Sequence, residues 1–101
     1  MGMGTVKYSY ILAVRYETER RHISHVKAQG GTVFGVLESL PCETLTKSEI
    51  LSQIDRGDQV YTMVENNIGA KVIWRKINGT RYLKTVPNDI EEDNLGELPT
   101  F

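Results

Sequence analysis

The sequence predicts an α+β fold: an antiparallel sheet of five strands, six if residues 32–37 add one, or a small open barrel, with one covering helix. Three observations predict it. Residues 6–16 alternate side-chain character with the period of two that marks strands. Thr46 and Glu49 open a single stretch of helical spacing. Asn78-Gly79 joins two alternating runs in the manner of a tight hairpin. The expected order is strand, strand, a weak third strand, helix, then three strands, with a C-terminal tail docked on the sheet.

Each element has its own justification. In Val6–Tyr16, Tyr8, Tyr10, Leu12, Val14 and Tyr16 share one parity and Lys7, Ser9, Ile11, Ala13 and Arg15 the other. The charged run 17–21 interrupts this strand, and residues 22–28 return as its antiparallel partner. Gly30-Gly31 breaks the pattern, residues 32–37 form the weak strand, and Leu40-Pro41 ends it. The helix runs over 46–57. Thr46 and Glu49 form its capping box, Ile50, Leu51 and Ile54 its apolar stripe, and Gly57 its left-handed stop.

Residues 58–65 form the next strand and Asn66–Gly69 a turn. Residues 70–77 and 80–86 then flank Asn78-Gly79. A two-residue type I′ turn sets Ile77 opposite Thr80, Arg75 opposite Tyr82 and Trp74 opposite Leu83. Val72, Trp74 and Leu83 are assigned to the core; Ile73, Arg75, Ile77, Tyr82 and Lys84 to a partly exposed face. The chain reads as one domain over 1–101: an N-terminal hairpin (5–28), a variable loop or weak strand (29–45), the helix (46–57), a three-stranded meander (58–86) and an acidic tail (87–101).

Composition narrows the function classes. The 101 residues are 40 % hydrophobic and 25 % charged, ordinary for a globular chain able to bury one core. The net charge of −1 gives no global field toward nucleic acid or membrane. One cysteine, Cys42, rules out an internal disulfide. The start of the chain lacks signal-peptide character, and Met1-Gly2 fails the myristoylation pattern because Val6 replaces Ser or Thr. Asn78-Gly79-Thr80 matches a glycosylation acceptor but reads as a turn. A cytoplasmic protein without membrane contact or cofactor is the expectation.

Little in the sequence carries catalytic chemistry. His22 and His25 are three residues apart, which on a strand directs them to opposite faces, so they read as surface residues and not a metal site. Cys42 follows Pro41 with no neighbouring cation to activate it. Glu91, Glu92 and Asp93 lie in a polar tail, where carboxylates are expected to be solvated and lack the buried cleft that acid–base catalysis needs.

The last thirty residues are more distinctive. Lys71, Arg75, Lys76, Arg81 and Lys84 form a basic hairpin with no acid among them, and Tyr82 interleaves. These six residues are the candidate binding surface. The tail carries Asp89, Glu91, Glu92, Asp93 and Glu97 with no base, and Leu95, Leu98 and Phe101 are its structural anchors. With them the tail is expected to fold back on the hairpin; the alternative is a free acidic segment that binds a partner.

Several of these segments resemble a known family. Ile11-Leu-Ala-Val-Arg-Tyr16, a helix ending in Arg56-Gly57-Asp58, Gly79-Thr-Arg-Tyr-Leu-Lys-Thr85 and Asp93-Asn-Leu-Gly-Glu-Leu-Pro-Thr-Phe101 resemble the bacterial family catalogued as domain of unknown function 3892. The end motif is the most specific part. The resemblance implies a small stand-alone domain of bacterial or phage origin with no established activity, and it carries over no catalytic residue. The functional expectation is therefore a protein-interaction or accessory module without catalysis, with homodimerisation through a strand edge open to it. The alternatives are nucleic-acid binding through the basic hairpin and a small enzyme using Cys42, His22 and His25.

Overall fold

The computed structural model describes residues 6–18 and 22–101. Met1-Gly2, the first residue of the expected hairpin and residues 19–21 of the charged turn lie outside the described residues. Along the chain come β1 (Tyr8–Tyr16), β2 (Ile23–Thr32), β3 (Gly35–Val36), β4 (Cys42–Thr46), α1 (Lys47–Asp55), β5 (Gln59–Val64), β6 (Asn67–Lys71), β7 (Ile73–Ile77) and β8 (Thr80–Lys84).

The main sheet has the order β3-β2-β1-β5-β6, with β4 also paired to β2, and it curls into a half-barrel. It is mixed, which corrects the antiparallel expectation: β5 runs parallel to β1. The helix explains this. A crossover through α1 returns the chain in the direction it left, whereas a hairpin reverses it. β7 and β8 form a separate two-stranded ribbon, so the expected meander is divided. The break is Val72, whose N–H donates to the Val60 carbonyl at 2.7 Å and whose side chain is buried.

Two bulges reassign the faces of the first hairpin. Between β1 and β2 the register slips at Leu12 and at Ser24. An extra residue turns the following side chains to the other face. Ile11 and Val14 thereby share the core, as do Ile23 and Val26, although strict alternation separates both pairs. Tyr10, assigned with Val14 by parity, instead stacks on Tyr61 with ring centroids 6.2 Å apart.

Residues 29–45 are more ordered than a loop. β2 extends to Thr32, β3 pairs with it briefly, and β4 pairs Gln29↔Cys42 through His25↔Thr46. Gly31 permits the tight β2–β3 approach, since a Cβ there would lie 2.0 Å from the Gly35 carbonyl oxygen. The capping box of α1 is present: the Glu49 N–H donates to Thr46 Oγ1 at 3.1 Å, and the Thr46 N–H to Glu49 Oε1 at 2.9 Å. Ile50 and Leu51 enter the core beside Val60, Val72 and Leu83.

The turn expected at Asn66–Gly69 falls one residue earlier. Glu65 and Asn66 take the two positive-φ positions, at 50° and 65°, and Asn67 already belongs to β6. Gly69 serves close approach: a Cβ there would meet Thr62 Oγ1 at 2.3 Å. β6 is bulged here, because Tyr61 pairs with Lys71 and Met63 with Ile68. Bulged or interrupted edges resist further strand pairing, and the opposite edge is divided between β3 and β4.

The β7–β8 register is the one expected, from Ile77↔Thr80 to Ile73↔Lys84. Its burial is not. Tyr82, Leu83 and Lys84 are all buried, while Trp74 is 36 % exposed. Position across the ribbon decides burial here, more than face. β8 lies inward and is covered on both sides; β7 is the outer strand.

The tail completes the fold. The Asn94 N–H donates to the Leu83 carbonyl at 2.8 Å, the Val14 N–H to that of Pro99 at 2.9 Å, and the Phe101 N–H to that of Val14 at 3.1 Å. β1 is thus flanked by β5 over Tyr8–Ile11 and by the tail at Val14. Leu95 and Leu98 lie in the core cluster. Phe101 lies under Arg15 and Lys27, 4.5 and 4.9 Å from its ring centroid.

Candidate binding site

Folding dismantles the basic surface. Lys84 is 1 % exposed, and its ammonium donates to Asn88 Oδ1 and to the Ile90 carbonyl, each at 2.6 Å. Tyr82 is buried under the stacked His22 ring at 5.4 Å and the Lys47 ammonium at 5.3 Å. Neither residue belongs to an exposed surface, contrary to expectation. Arg75 pairs with Asp89 at 2.7 Å, and Arg81 with Asp55 at 2.8 Å. Arg81 also covers Trp74, whose indole N–H donates to the same carboxylate at 3.1 Å. Lys71 and Lys76 remain exposed. The loop after β8 cancels part of the charge that the hairpin presents as sequence.

Asp93 is the densest polar junction. Its carboxylate is fully buried and accepts the Ile23 N–H at 2.6 Å, the Leu83 N–H at 2.7 Å and the Lys47 ammonium at 2.9 Å. One side chain thereby joins the start of β2, the middle of β8 and the first residue of α1. His22 Nδ1 stands 3.9 Å away. Both backbone donors and the cation satisfy a charge that burial alone would make expensive. Sequence reasoning placed Asp93 in a solvated tail, because nothing local shows that Leu95 and Leu98 draw it under the hairpin.

The two histidines do not point apart. The bulge at Ser24 lets both line one wide, shallow groove of about 620 Å³, with Lys47, Thr46 and Ser48 across from them. His25 Nδ1 lies 3.0 Å from Ser24 Oγ. Cys42 is exposed opposite Gln29, four strand positions from His25, or about 13 Å along β2. Among the described residues no group of three or more His, Cys, Asp or Glu is placed to hold a metal ion.

The most unusual surface lies elsewhere and was not foreseen. Thr32 pairs with Gly35, so Val33 and Phe34 form the two-residue tip between β2 and β3. Phe34 is 91 % exposed and Val33 55 %. Gly35 adopts φ +129°, and a Cβ there would stand 3.6 Å from Met63 Cε. Met63 in turn lines a groove of about 430 Å³ with Leu12, Val36, Val64 and Pro99. Gln29, Glu65, Asn66 and Glu97 complete its lining, so an apolar projection adjoins a recess of mixed polarity. Thr-Val-Phe-Gly-Val-Leu reads as a strand interior; that its middle is a tip follows only from the Gly31–Val36 pairing.

Fold and site together define a small α+β domain: a mixed half-barrel, a separate hairpin, and a tail that stitches the two. The chain belongs to the family described as protein of unknown function (DUF3892), whose model matches residues 10–99. No curated protein and no solved structure matches it. Among the described residues, no helix is long and apolar enough to cross a membrane.

Proposed function

We propose that this protein is a binding module that engages another protein through the Val33–Phe34 tip and the groove beside it. The observation that carries the reading is Phe34, held out to solvent on a short hairpin. Burying a phenylalanine is worth about 1.5–3 kcal/mol, and aromatic side chains dominate interface energetics. Scattered surface apolars need no explanation, but Val33 and Phe34 are adjacent on one tip, followed by Gly35 beside Met63 and Val36 in the lining of the groove.

The ionic chemistry supports binding over catalysis. Asp93, Lys84 and Asp55 are each engaged in joining elements of the fold. The basic hairpin offers Lys71 and Lys76 with Arg75 and Arg81 already paired, a weak phosphate-binding set. The test is affinity capture from cells carrying the gene, with the wild type and Phe34→Asp as parallel baits. A partner retained by the wild type and lost with the variant, at equal thermal stability, supports the reading. Identical captured sets for the two baits would refute it.

A further inference from the structure

Resting on that reading, we propose that the partner is a basic segment of another protein, with an apolar side chain that enters the groove and lysine or arginine flanking it. Charge complementarity selects this occupant. Leu12, Val36 and Met63 supply apolar wall for the entering side chain. Glu65 and Glu97 belong to the same lining, both are exposed, and no lysine or arginine accompanies them. Among the described residues neither carboxylate forms an ion pair. The chain as a whole carries a net charge of only −1, so the negative character is local to this recess. A second copy would set its own Glu65 and Glu97 against these, and like charges repel.

The Phe34 ring points to the same chemistry. Lysine and arginine are attracted to the faces of aromatic rings. The chain already covers three of its rings in this way: Phe101 with Arg15 and Lys27, Tyr82 with Lys47, and Trp74 with Arg81. Phe34, at 91 % exposure, has no such cation among the described residues. Val36, two residues on, is part of the groove lining. One short segment can therefore place a cation on the ring and an apolar group in the groove.

Selection of a random peptide library displayed on phage, with the 101-residue chain as target, tests the proposal. The enriched peptides should share lysine or arginine flanking an apolar residue. A synthetic copy of one should bind about tenfold more weakly to the double variant Glu65→Gln, Glu97→Gln, and more weakly to the wild type as salt is raised. Both carboxylates are exposed, so the double variant should keep the wild-type melting temperature. Phe34→Asp adds a negative charge, yet it too should lose the peptide; tighter binding to it would mean diffuse attraction and overturn the proposal. An empty selection, self-association of the chain in its place, or basic peptides indifferent to the double substitution overturns it as well. If the peptides retained are acidic or uncharged but are lost with Phe34→Asp, the basic partner fails while the binding reading stands. If Phe34→Asp changes neither peptide binding nor the set captured from cells, both fail.

Discussion

Asp93 shows how much a single buried carboxylate can organise. Its three partners lie on β2, β8 and α1. Asp93→Ala strands two N–H groups and a half-buried ammonium. Breaking a buried pair in this way costs about 3–5 kcal/mol, a large share of a small domain's stability. Urea denaturation should show that loss, with Asp93→Asn intermediate because it retains an acceptor oxygen. Lys84→Met should destabilise by about 1–3 kcal/mol through loss of the ammonium's hydrogen bonds to Asn88 Oδ1 and the Ile90 carbonyl, which keep only the Ile90 and Glu92 N–H as donors.

Two exposed carboxylates set a direction for acid behaviour. Glu49 lies below its ordinary 4.5, chiefly because it accepts the Thr46 N–H and then through its bond with the Thr46 hydroxyl. Asp55 lies below its ordinary 3.8, chiefly because Arg81 donates to it. Folded values below unfolded ones stabilise the protein above the ordinary values, and that contribution disappears as pH falls through the folded ones. Melting temperature should therefore drop from neutral pH toward about pH 3. Glu49→Gln and Asp55→Asn should each make that drop shallower; an unchanged slope in both would contradict the assignment.

Among the elements, α1 is the one most completely legible in sequence. A helix of nine residues has little stability alone, so its start rests on the capping box and its survival on Ile50 and Leu51. Thr46→Ala should cost about 1 kcal/mol, visible as faster amide exchange at Glu49. The β5–β6 hairpin is the contrasting case. Gly69 has the look of a turn residue, yet it sits in β6 because Thr62 leaves no room for a Cβ. Gly69→Ala should cost about 1–3 kcal/mol through overpacking, whereas a residue in an open turn would tolerate it. The Asn78-Gly79 hairpin was readable to the register because its turn dictates the pairing locally. Its burial was not, since that depends on which strand of the ribbon faces inward.

For the whole molecule, the tail holds the hairpin to the sheet. Leu95 and Leu98 contribute core surface, and the backbone bonds from Asn94 and Phe101 reach β8 and β1. Removing residues 95–101 should expose Val14 and Leu83 and abolish cooperative unfolding as followed by near-UV circular dichroism. A truncated chain that melted cooperatively near the wild-type temperature would show the tail to be dispensable.

By itself the sequence determined what is local: the capping box of the helix, the Asn78-Gly79 register and the strand character of residues 8–16. Each rests on residues within a few positions of one another. The tertiary structure alone decided what depends on residues far apart. The α1 crossover made the sheet mixed, and bulges at Leu12 and Ser24 changed which side chains share the core. Leu95 and Leu98 carried Asp93 under the hairpin, and the loop after β8 buried Lys84 and neutralised Arg75. The pairing of Gly31 with Val36 put Phe34 at a tip. Local pattern states which faces a strand has; long-range packing states which of them meets water, and binding depends on the second.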